Sequence, residues 1–295
     1  MPYIEYSQQN EGPIELHYHD HGKGQPVVLI HGWPLSERSW EMQEPVLLSQ
    51  GYRVIKYDRR GFGESSKPIE GYDYNTFAED LNELMTQLDL KNAILVGFSM
   101  GAGEVARYCG KYGTDRVAKC VFIGGITPFI LKTDENKEGV DLKVFEDMKS
   151  NVKKDRLAFL DGFFKDFYSH NMLGPDVSEG VINFSTNIAS MASPIGTLKC
   201  IDSWLEDFRP DLAKVDVPSL VIHGNGDKIV PYKSSGARME EFVKDCHTVE
   251  ISGGPHGILM SHAEEVNSAL INFLGLPMIT RKPVQHDTGR NSSSI

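Results

Sequence analysis

Cysteine is scarce in this sequence, and its spacing indicates neither a disulfide framework nor a metal site. The 295 residues include four cysteines, and no two of them stand at the short paired spacing of a zinc or redox motif. We therefore expect reduced thiols and a cytoplasmic protein. The four are Cys109, Cys120, Cys200 and Cys246.

Long apolar runs and an excess of positive charge are also lacking. No apolar run reaches the length that spans a bilayer, and the first residues show no basic and apolar leader. The 30 basic and 41 acidic side chains leave a net charge of −11. Nucleic acids and anionic membranes both attract concentrated positive charge, so we expect neither among the partners. The length suits one large core with an inserted unit, and it leaves homo-oligomer formation open.

Apolar strand-like segments alternate with helical patterns along most of the chain. Such alternation indicates βαβ units and a mostly parallel central sheet flanked by helices, an α/β fold. One helix is expected to begin with a capping box formed by Thr76 and Glu79. The predicted strands are 26–30, 52–57, 93–96, 117–123, 219–223 and 247–251, with an antiparallel edge hairpin at 4–6 and 14–19.

Between the sixth and seventh predicted strands, only helical patterns occur. We interpret residues 129–208 as a helical cap inserted after the sixth strand, and residues 1–128 and 209–274 as the core. The last stretch, 275–295, is rich in proline and serine, which predicts a disordered tail. The expected cap helices are 142–152, 155–167, 177–192 and 196–208.

A serine stands at the end of the strand at 93–96, in the segment Gly97-Phe98-Ser99-Met100-Gly101. A helical pattern follows at once, so the segment predicts a strand, a sharp turn and a helix with Ser99 at the apex. This arrangement is typical of a nucleophile elbow, in which flanking glycines give the strained turn its clearance. We predict that Ser99 is a catalytic nucleophile.

An acid and a histidine follow Ser99 in the order that a serine hydrolase requires. Asp227 follows the strand at 219–223, and His256 follows the strand at 247–251. A serine hydroxyl needs an imidazole to take its proton, and the imidazole needs a carboxylate to hold it in the correct tautomer. Ser99, Asp227 and His256 therefore form a candidate catalytic triad. The rival acids are Asp58, Asp202, Asp207 and Asp211.

Two backbone N–H groups are candidates for an oxyanion hole. One belongs to Met100, and the other belongs to Trp33 in the loop after the strand at 26–30. His31 in the same loop is expected to orient it. Proton transfer and these two donors suffice for the chemistry, so we expect no cofactor and no metal. The expected substrate pocket is apolar, with Phe129, Ile130 and Trp204 as candidates.

Three alternating histidines offer a weaker alternative site. His17, His19 and His21 face one side of a predicted strand, where they could bind zinc or could simply cover an edge hairpin. The glycines at 61 and 63 lack the third glycine of a dinucleotide loop, so we interpret them as a structural turn.

The combined motifs resemble the cofactor-free haloperoxidase and arylesterase family of α/β-hydrolases. The resemblance covers residues 1–274 and implies a metal-free serine esterase of small acyl esters that works through an acyl-serine. It also implies use of hydrogen peroxide to form a peracid that oxidises halide, so the expected partners are a small ester and peroxide. The motifs are His31-Gly32-Trp33-Pro34, the segment from Asp58 to Ser65, the serine segment, the segment from Asp207 to Asp211, the segment from His223 to Asp227 and Pro255-His256-Gly257.

Other functions stay open. Some proteins that resemble this chain are lactonases or γ-lactamases of the same mechanism, and a slow-turnover ligand receptor can keep a triad on the same scaffold. Dehalogenases and epoxide hydrolases of this fold use an aspartate nucleophile, and Ser99 excludes them.

Overall fold

The computed structural model describes residues 2–7, 12–169 and 177–275. An eight-stranded sheet runs through these residues in the order β1-β2-β4-β3-β5-β6-β7-β8. The first two strands are antiparallel, and β3 to β8 pair in parallel. The strands are β1 (Tyr3–Ser7), β2 (Pro13–His21), β3 (Pro26–Ile30), β4 (Arg53–Tyr57), β5 (Ala93–Phe98), β6 (Val117–Ile123), β7 (Ser219–Gly224) and β8 (Cys246–Ile251).

Helices cover the sheet. Within the described ranges, none of them is both long and apolar enough to span a bilayer. The α-helices are α1 (Glu44–Ser49), α2 (Tyr74–Gln87), α3 (Met100–Tyr112), α4 (Leu142–Lys154), α5 (Arg156–Phe167), α6 (Glu179–Ser190), α7 (Pro194–Ser203), α8 (Arg209–Leu212), α9 (Ile258–Ser261) and α10 (Ala263–Gly275). Short 3₁₀-helices lie at Glu37–Trp40, Tyr232–Ser234 and Gly236–Glu241.

The predicted α/β fold is confirmed, with its mostly parallel sheet and its N-terminal antiparallel hairpin. Every residue of β5, β6 and β7 is buried, because helices cover both faces of a parallel sheet. Helices α4 to α7 follow β6, where the sequence predicts them, and the chain returns to the sheet at β7. The carboxyl ends of the central parallel strands therefore share one edge, where loops can bring distant residues together.

The predicted start of α2 is wrong. The helix begins at Tyr74, and its N-cap is Asp73, whose carboxylate accepts the Thr76 N–H at 3.1 Å. The Thr76 hydroxyl donates to the same carboxylate at 2.8 Å. An aspartate is at least as good a cap as a threonine, so the helix starts earlier than a box at Thr76 and Glu79 would place it.

The predicted disordered tail cannot be compared with the structure over most of its length. Residues 276–295 lie outside the described residues, and Gly275 is the last residue of α10.

Candidate active site

Ser99 lies at a sharp turn between β5 and α3. Its φ of 54° and ψ of −114° put a non-glycine residue in a strained backbone region, which is typical of active sites. The Ser99 N–H donates to the carbonyl of Ile123 in β6 at 2.8 Å, so the sheet holds the turn in place. The residue is 6% exposed. The hydroxyl therefore lies in a restricted and largely desolvated position.

The glycines on either side of Ser99 allow this turn. A Cβ on Gly97 would lie 2.3 Å from the carbonyl oxygen of Gly101, and a Cβ on Gly101 would lie 2.3 Å from the carbonyl oxygen of Ile30. Real Cβ atoms do not approach backbone so closely. The turn brings α3 against β3 at a distance that only glycine permits, as the sequence predicts.

The loops after β5, β7 and β8 bring Ser99, Asp227 and His256 together. The Ser99 Oγ lies 2.9 Å from His256 Nε2, and His256 Nδ1 lies 2.6 Å from Asp227 Oδ2. With its proton on Nδ1, the imidazole donates to Asp227 and leaves Nε2 free to accept from the Ser99 hydroxyl. The three side chains form one hydrogen-bonded chain that can pass a proton from the serine to the imidazole.

Asp227 is held as a charged carboxylate. Its Oδ1 accepts the N–H groups of Ile229 at 2.9 Å and Val230 at 2.8 Å. Burial would raise the pKa of Asp227, but the electrostatic influence of His256 and hydrogen bonds from His223 and His256 lower that pKa below the usual range of an aspartate. The carboxylate therefore stays ionised at neutral pH, as an acid that orients an imidazole must.

The rival acids have other partners. Asp58 lies 3.1 Å from His17, Asp207 accepts from Arg209, and Asp211 accepts from Arg107 at 2.8 Å. Asp202 accepts from Lys149 on the surface. Each of these carboxylates is bound to a cation or an imidazole other than His256.

Aromatic rings surround His256. The rings of Phe98 and Phe167 lie 5.3 Å and 4.9 Å from its imidazole. The N–H of Gly257 donates to the Phe167 carbonyl at 2.9 Å, which ties the histidine loop to the end of α5. Apolar walls keep water from competing for the imidazole and strengthen the hydrogen bonds that it makes.

The two predicted oxyanion donors belong to Met100, which follows Ser99 in the chain, and to Trp33, which lines the same cavity as Ser99. Met100 is the first residue of α3, so its N–H has no acceptor within the helix. In the part of the chain that the structure describes, neither its N–H nor the N–H of Trp33 donates to a protein acceptor. The Trp33 ring packs on Trp204 at 4.8 Å and Phe163 at 5.3 Å, which fixes the loop after β3 against α5 and the end of α7. Both N–H groups are therefore available to a ligand.

His31 orients the loop that carries Trp33. Its Nδ1–H donates to the carbonyl of Gly32 at 2.8 Å, and its Nε2 accepts the backbone N–H of Arg59 at 3.0 Å. Burial, with the positive charge of Arg59 nearby, lowers the pKa of His31 to about 3. The imidazole is neutral at neutral pH, in agreement with one donating and one accepting nitrogen.

Sequence reasoning missed Arg59 and Glu104. The Arg59 Nη2 donates to the carbonyl of His31 at 2.9 Å, and its Nε donates to Glu104 at 2.7 Å. Glu104 lies one turn along α3 from Ser99, so this pair connects the elbow helix to the loop of Trp33. The sequence offers one signal for this pair, which is a glutamate on the apolar face of a predicted core helix. A charge that is buried there needs a partner of opposite charge.

His223 is a third residue that sequence reasoning did not assign. It is the last residue but one of β7, and its Nε2 lies 2.9 Å from the carbonyl of Val230 and 3.3 Å from Asp227 Oδ2. A buried histidine four residues before the candidate acid was the available signal. Its contacts hold the loop that presents Asp227.

A small cavity lies over Ser99. It is lined by Trp33 and His256 from the loops and by apolar side chains, and two of the three predicted pocket residues, Ile130 and Trp204, belong to its wall. Phe129 lies elsewhere. Its carbonyl accepts from Asn136 at 2.7 Å, and its ring lies under the Arg209 guanidinium at 5.4 Å, so neighbouring residues alternate between the cavity and the surface.

The three alternating histidines do face one side of β2, but each faces a different carboxylate. His17 lies 3.1 Å from Asp58, His19 lies 3.7 Å from Glu37, and His21 lies 2.7 Å from Glu44. Among the described residues, no group of three or more side chains is arranged to hold a metal ion.

The sequence is similar to those of known proteins. The alpha/beta hydrolase fold family model matches residues 25–263. A protein of Synechocystis sp., provisionally named a non-heme chloroperoxidase, is 53% identical over 275 residues, which cover 93% of this chain and 100% of the relative. A bifunctional esterase/perhydrolase of Acinetobacter calcoaceticus is 35% identical over 265 residues, 88% of this chain and 96% of the relative.

The fold is also similar to that of a solved structure. The crystal structure of a bromoperoxidase from Bacillus anthracis superimposes with a TM-score of 0.89 and 50% identity, covering 93% of this chain and 100% of that chain. The chain therefore belongs to the α/β-hydrolase fold family and, within it, to the group of enzymes that contains the non-heme haloperoxidases.

Proposed function

We propose that this protein is a serine hydrolase of carboxylic esters that works through an acyl-serine intermediate. The observation that carries the proposal is the hydrogen-bonded chain from Ser99 through His256 to Asp227, with the serine at a strained turn. In this proposal Ser99 is the nucleophile, His256 is the general base and acid, and Asp227 orients the imidazole.

The first half of the reaction forms the acyl-enzyme. His256 Nε2 takes the proton of the Ser99 hydroxyl as the oxygen attacks the ester carbonyl carbon, and the carbonyl π electrons move to oxygen. The N–H groups of Trp33 and Met100 donate to this oxyanion. The carbonyl then re-forms, the bond to the alcohol oxygen breaks, and His256 gives its proton to the departing alcohol.

The second half releases the acid. His256 takes a proton from water, the hydroxide oxygen attacks the acyl carbon, and the Ser99 oxygen leaves with the proton from His256. Hydrogen peroxide can replace water in this step, in which case the product is a peracid that oxidises halide in solution. The named activities of the bromoperoxidase and of the esterase/perhydrolase support this side reaction. Every step uses groups of this chain, so the proposal includes no cofactor or metal.

We also propose that residues 129–208 are a cap over the core. The contacts of Trp33 with Phe163 and Trp204 and the hydrogen bond from its indole to Thr197 at 3.1 Å support this role. Such a cap would exclude bulk water and shape the substrate pocket.

The test compares the purified full chain with its Ser99→Ala variant. We expect hydrolysis of p-nitrophenyl acetate by the wild type, formation of peracetic acid when hydrogen peroxide is added, and loss of both in the variant. A serine-directed phosphonate should label Ser99, and Ser49→Ala, on the exposed side of α1, is the matched control with normal activity. Labelling at Ser99 without turnover of any ester, lactone or lactam would instead support a ligand receptor.

A further inference from the structure

A groove opens on the surface above the small cavity at Ser99. It lies between α4, α5 and the loop after β7, and its volume is about 690 Å³. Its walls include Met148 from α4, Phe159 and Phe163 from α5, and Ile229 from the loop. A volume of this size is typical of small-molecule sites.

The groove lies next to the catalytic cavity. The same five apolar side chains form part of the wall of both spaces. The cavity beside Ser99 has free space of about 30 Å³, room for on the order of one or two water molecules. A substrate that reacts at its small end beside Ser99 would therefore extend its larger end toward the groove. The shared residues are Val140, Val144, Met148, Phe163 and Ile229.

The charges at the edge of the groove balance each other. Lys154 and Lys228 contribute two positive charges, and Asp155 and Asp166 contribute two negative charges. Two charges of each sign leave the edge without net charge, so it favours neither a cation nor an anion overall. The floor between them is apolar, so burial of an uncharged alkyl or aryl group is favoured there.

We infer that the groove is a subsite for one of the two organic groups of the substrate ester, and that this group is uncharged, apolar and extended. This inference rests on the proposed function and goes beyond it, because it makes esters with a large acyl or alcohol group the preferred substrates. Burial of additional apolar carbon in the groove would lower the transition-state free energy for such esters relative to smaller ones.

Gly162 gives a direct way to fill the groove. It lies in the groove wall on α5, and a Cβ placed on it would meet no atom within 4 Å. Gly162→Phe therefore attaches a ring to a Cβ that lies in open space beside the groove, and it removes a glycine from a helix interior. Leu157→Phe is the matched control, because Leu157 is 57% exposed on the same helix and lies outside the groove wall.

The experiment measures kcat/KM in two pairs of substrates. The acyl pair is p-nitrophenyl octanoate and p-nitrophenyl acetate, and the alcohol pair is naphthyl acetate and phenyl acetate. We expect Gly162→Phe to lower the ratio of the larger to the smaller ester by about tenfold or more in one pair, and Leu157→Phe to leave both ratios within about twofold of wild type. The pair that responds identifies which group of the ester occupies the groove.

An unchanged ratio in both pairs, with folding confirmed by circular dichroism, would overturn the inference. An equal fall in kcat/KM for large and small esters would also leave the ratios unchanged, and it would mean that the groove is only an entrance to the cavity. Lack of Ser99-dependent hydrolysis in the wild type would instead contradict the proposed function. Calorimetric titration with octylboronic acid and methylboronic acid would then test the groove. Tighter binding of the octyl compound to the wild type, lost in Gly162→Phe, would support the subsite. Equal affinity of the wild type for the two compounds would overturn it.

Discussion

The carboxylate of Glu104 lies 2.7 Å from Arg59 Nε, and both side chains are completely buried. Glu104 belongs to the helix that follows Ser99, while the Arg59 guanidinium also donates to the carbonyl of His31, two residues before Trp33. The hydroxyl of Tyr57 donates to the second oxygen of Glu104. A buried ion pair often contributes little net stability, but it costs much when one partner is removed. The pair joins the two segments that carry the proposed oxyanion donors.

Glu104→Gln should lower the free energy of unfolding by about 3 kcal/mol, because it leaves the Arg59 charge buried without a counter-ion. Urea unfolding measures the change. A double variant, Arg59→Met with Glu104→Met, should be less destabilised than the sum of the single variants. Asp147→Asn is the control, since its ion pair with Lys143 is exposed and should contribute at most about 0.5 kcal/mol. Equal losses in Glu104→Gln and the control would contradict the prediction.

Asp227→Asn should lower kcat by about ten-thousand-fold while the fold is preserved. An amide at this position favours the wrong tautomer of His256, whose Nε2 could then no longer accept the serine proton. Steady-state kinetics with p-nitrophenyl acetate measure the loss. Asp202→Asn should retain wild-type kinetics, because that carboxylate faces Lys149 on the surface. Near-normal kcat in Asp227→Asn would show that another acid supports the histidine.

The neutral, buried His31 should make the protein less stable in acid. The pKa of His31 is lowered to about 3, whereas the imidazole takes up this proton near its ordinary pKa of 6.5 in the unfolded chain. The stability that the neutral His31 contributes is therefore fully present above pH 6.5, and it declines as the pH falls from there toward about 3. From about pH 7 to about pH 4 the free energy of unfolding should fall by roughly 3 kcal/mol through this residue.

Urea unfolding across this pH range measures the slope for wild type and for His31→Gln. The glutamine can still donate and accept a hydrogen bond but does not titrate, so its curve should be flatter than that of wild type. Parallel curves would mean that His31 does not contribute to the acid dependence.

Two glycine-to-alanine variants should act in opposite directions. Gly101→Ala should destabilise strongly and abolish activity, because its Cβ would lie 2.3 Å from the carbonyl oxygen of Ile30. Gly162→Ala should raise the free energy of unfolding by about 0.5 to 1 kcal/mol, because it improves helix propensity in open space. Thermal and urea unfolding of both variants check the prediction. A stable and active Gly101→Ala protein would show that α3 can move away from β3.

Local patterns in the sequence predicted most elements of the fold. The buried strands appear as short β-branched runs, and the turn at Ser99 appears as glycines around a serine between a strand and a helix. These signals are local, because strand and helix periodicity depend on neighbouring residues. The start of α2 differs from the prediction because Asp73, three residues before Thr76, caps the helix, and the sequence offers both residues as caps.

The order of Ser99, Asp227 and His256 and their positions at strand ends could be predicted from the sequence, since parallel strands bring their carboxyl ends to one edge. Ser99 and His256 are 157 positions apart, however, and their contact depends on the packing of the whole sheet. The tertiary structure decided that Ile130 and not Phe129 lines the cavity, and that Arg59 pairs with Glu104. Sequence patterns record which residues prefer burial, whereas the partner of a buried group depends on which distant segments the fold brings into contact.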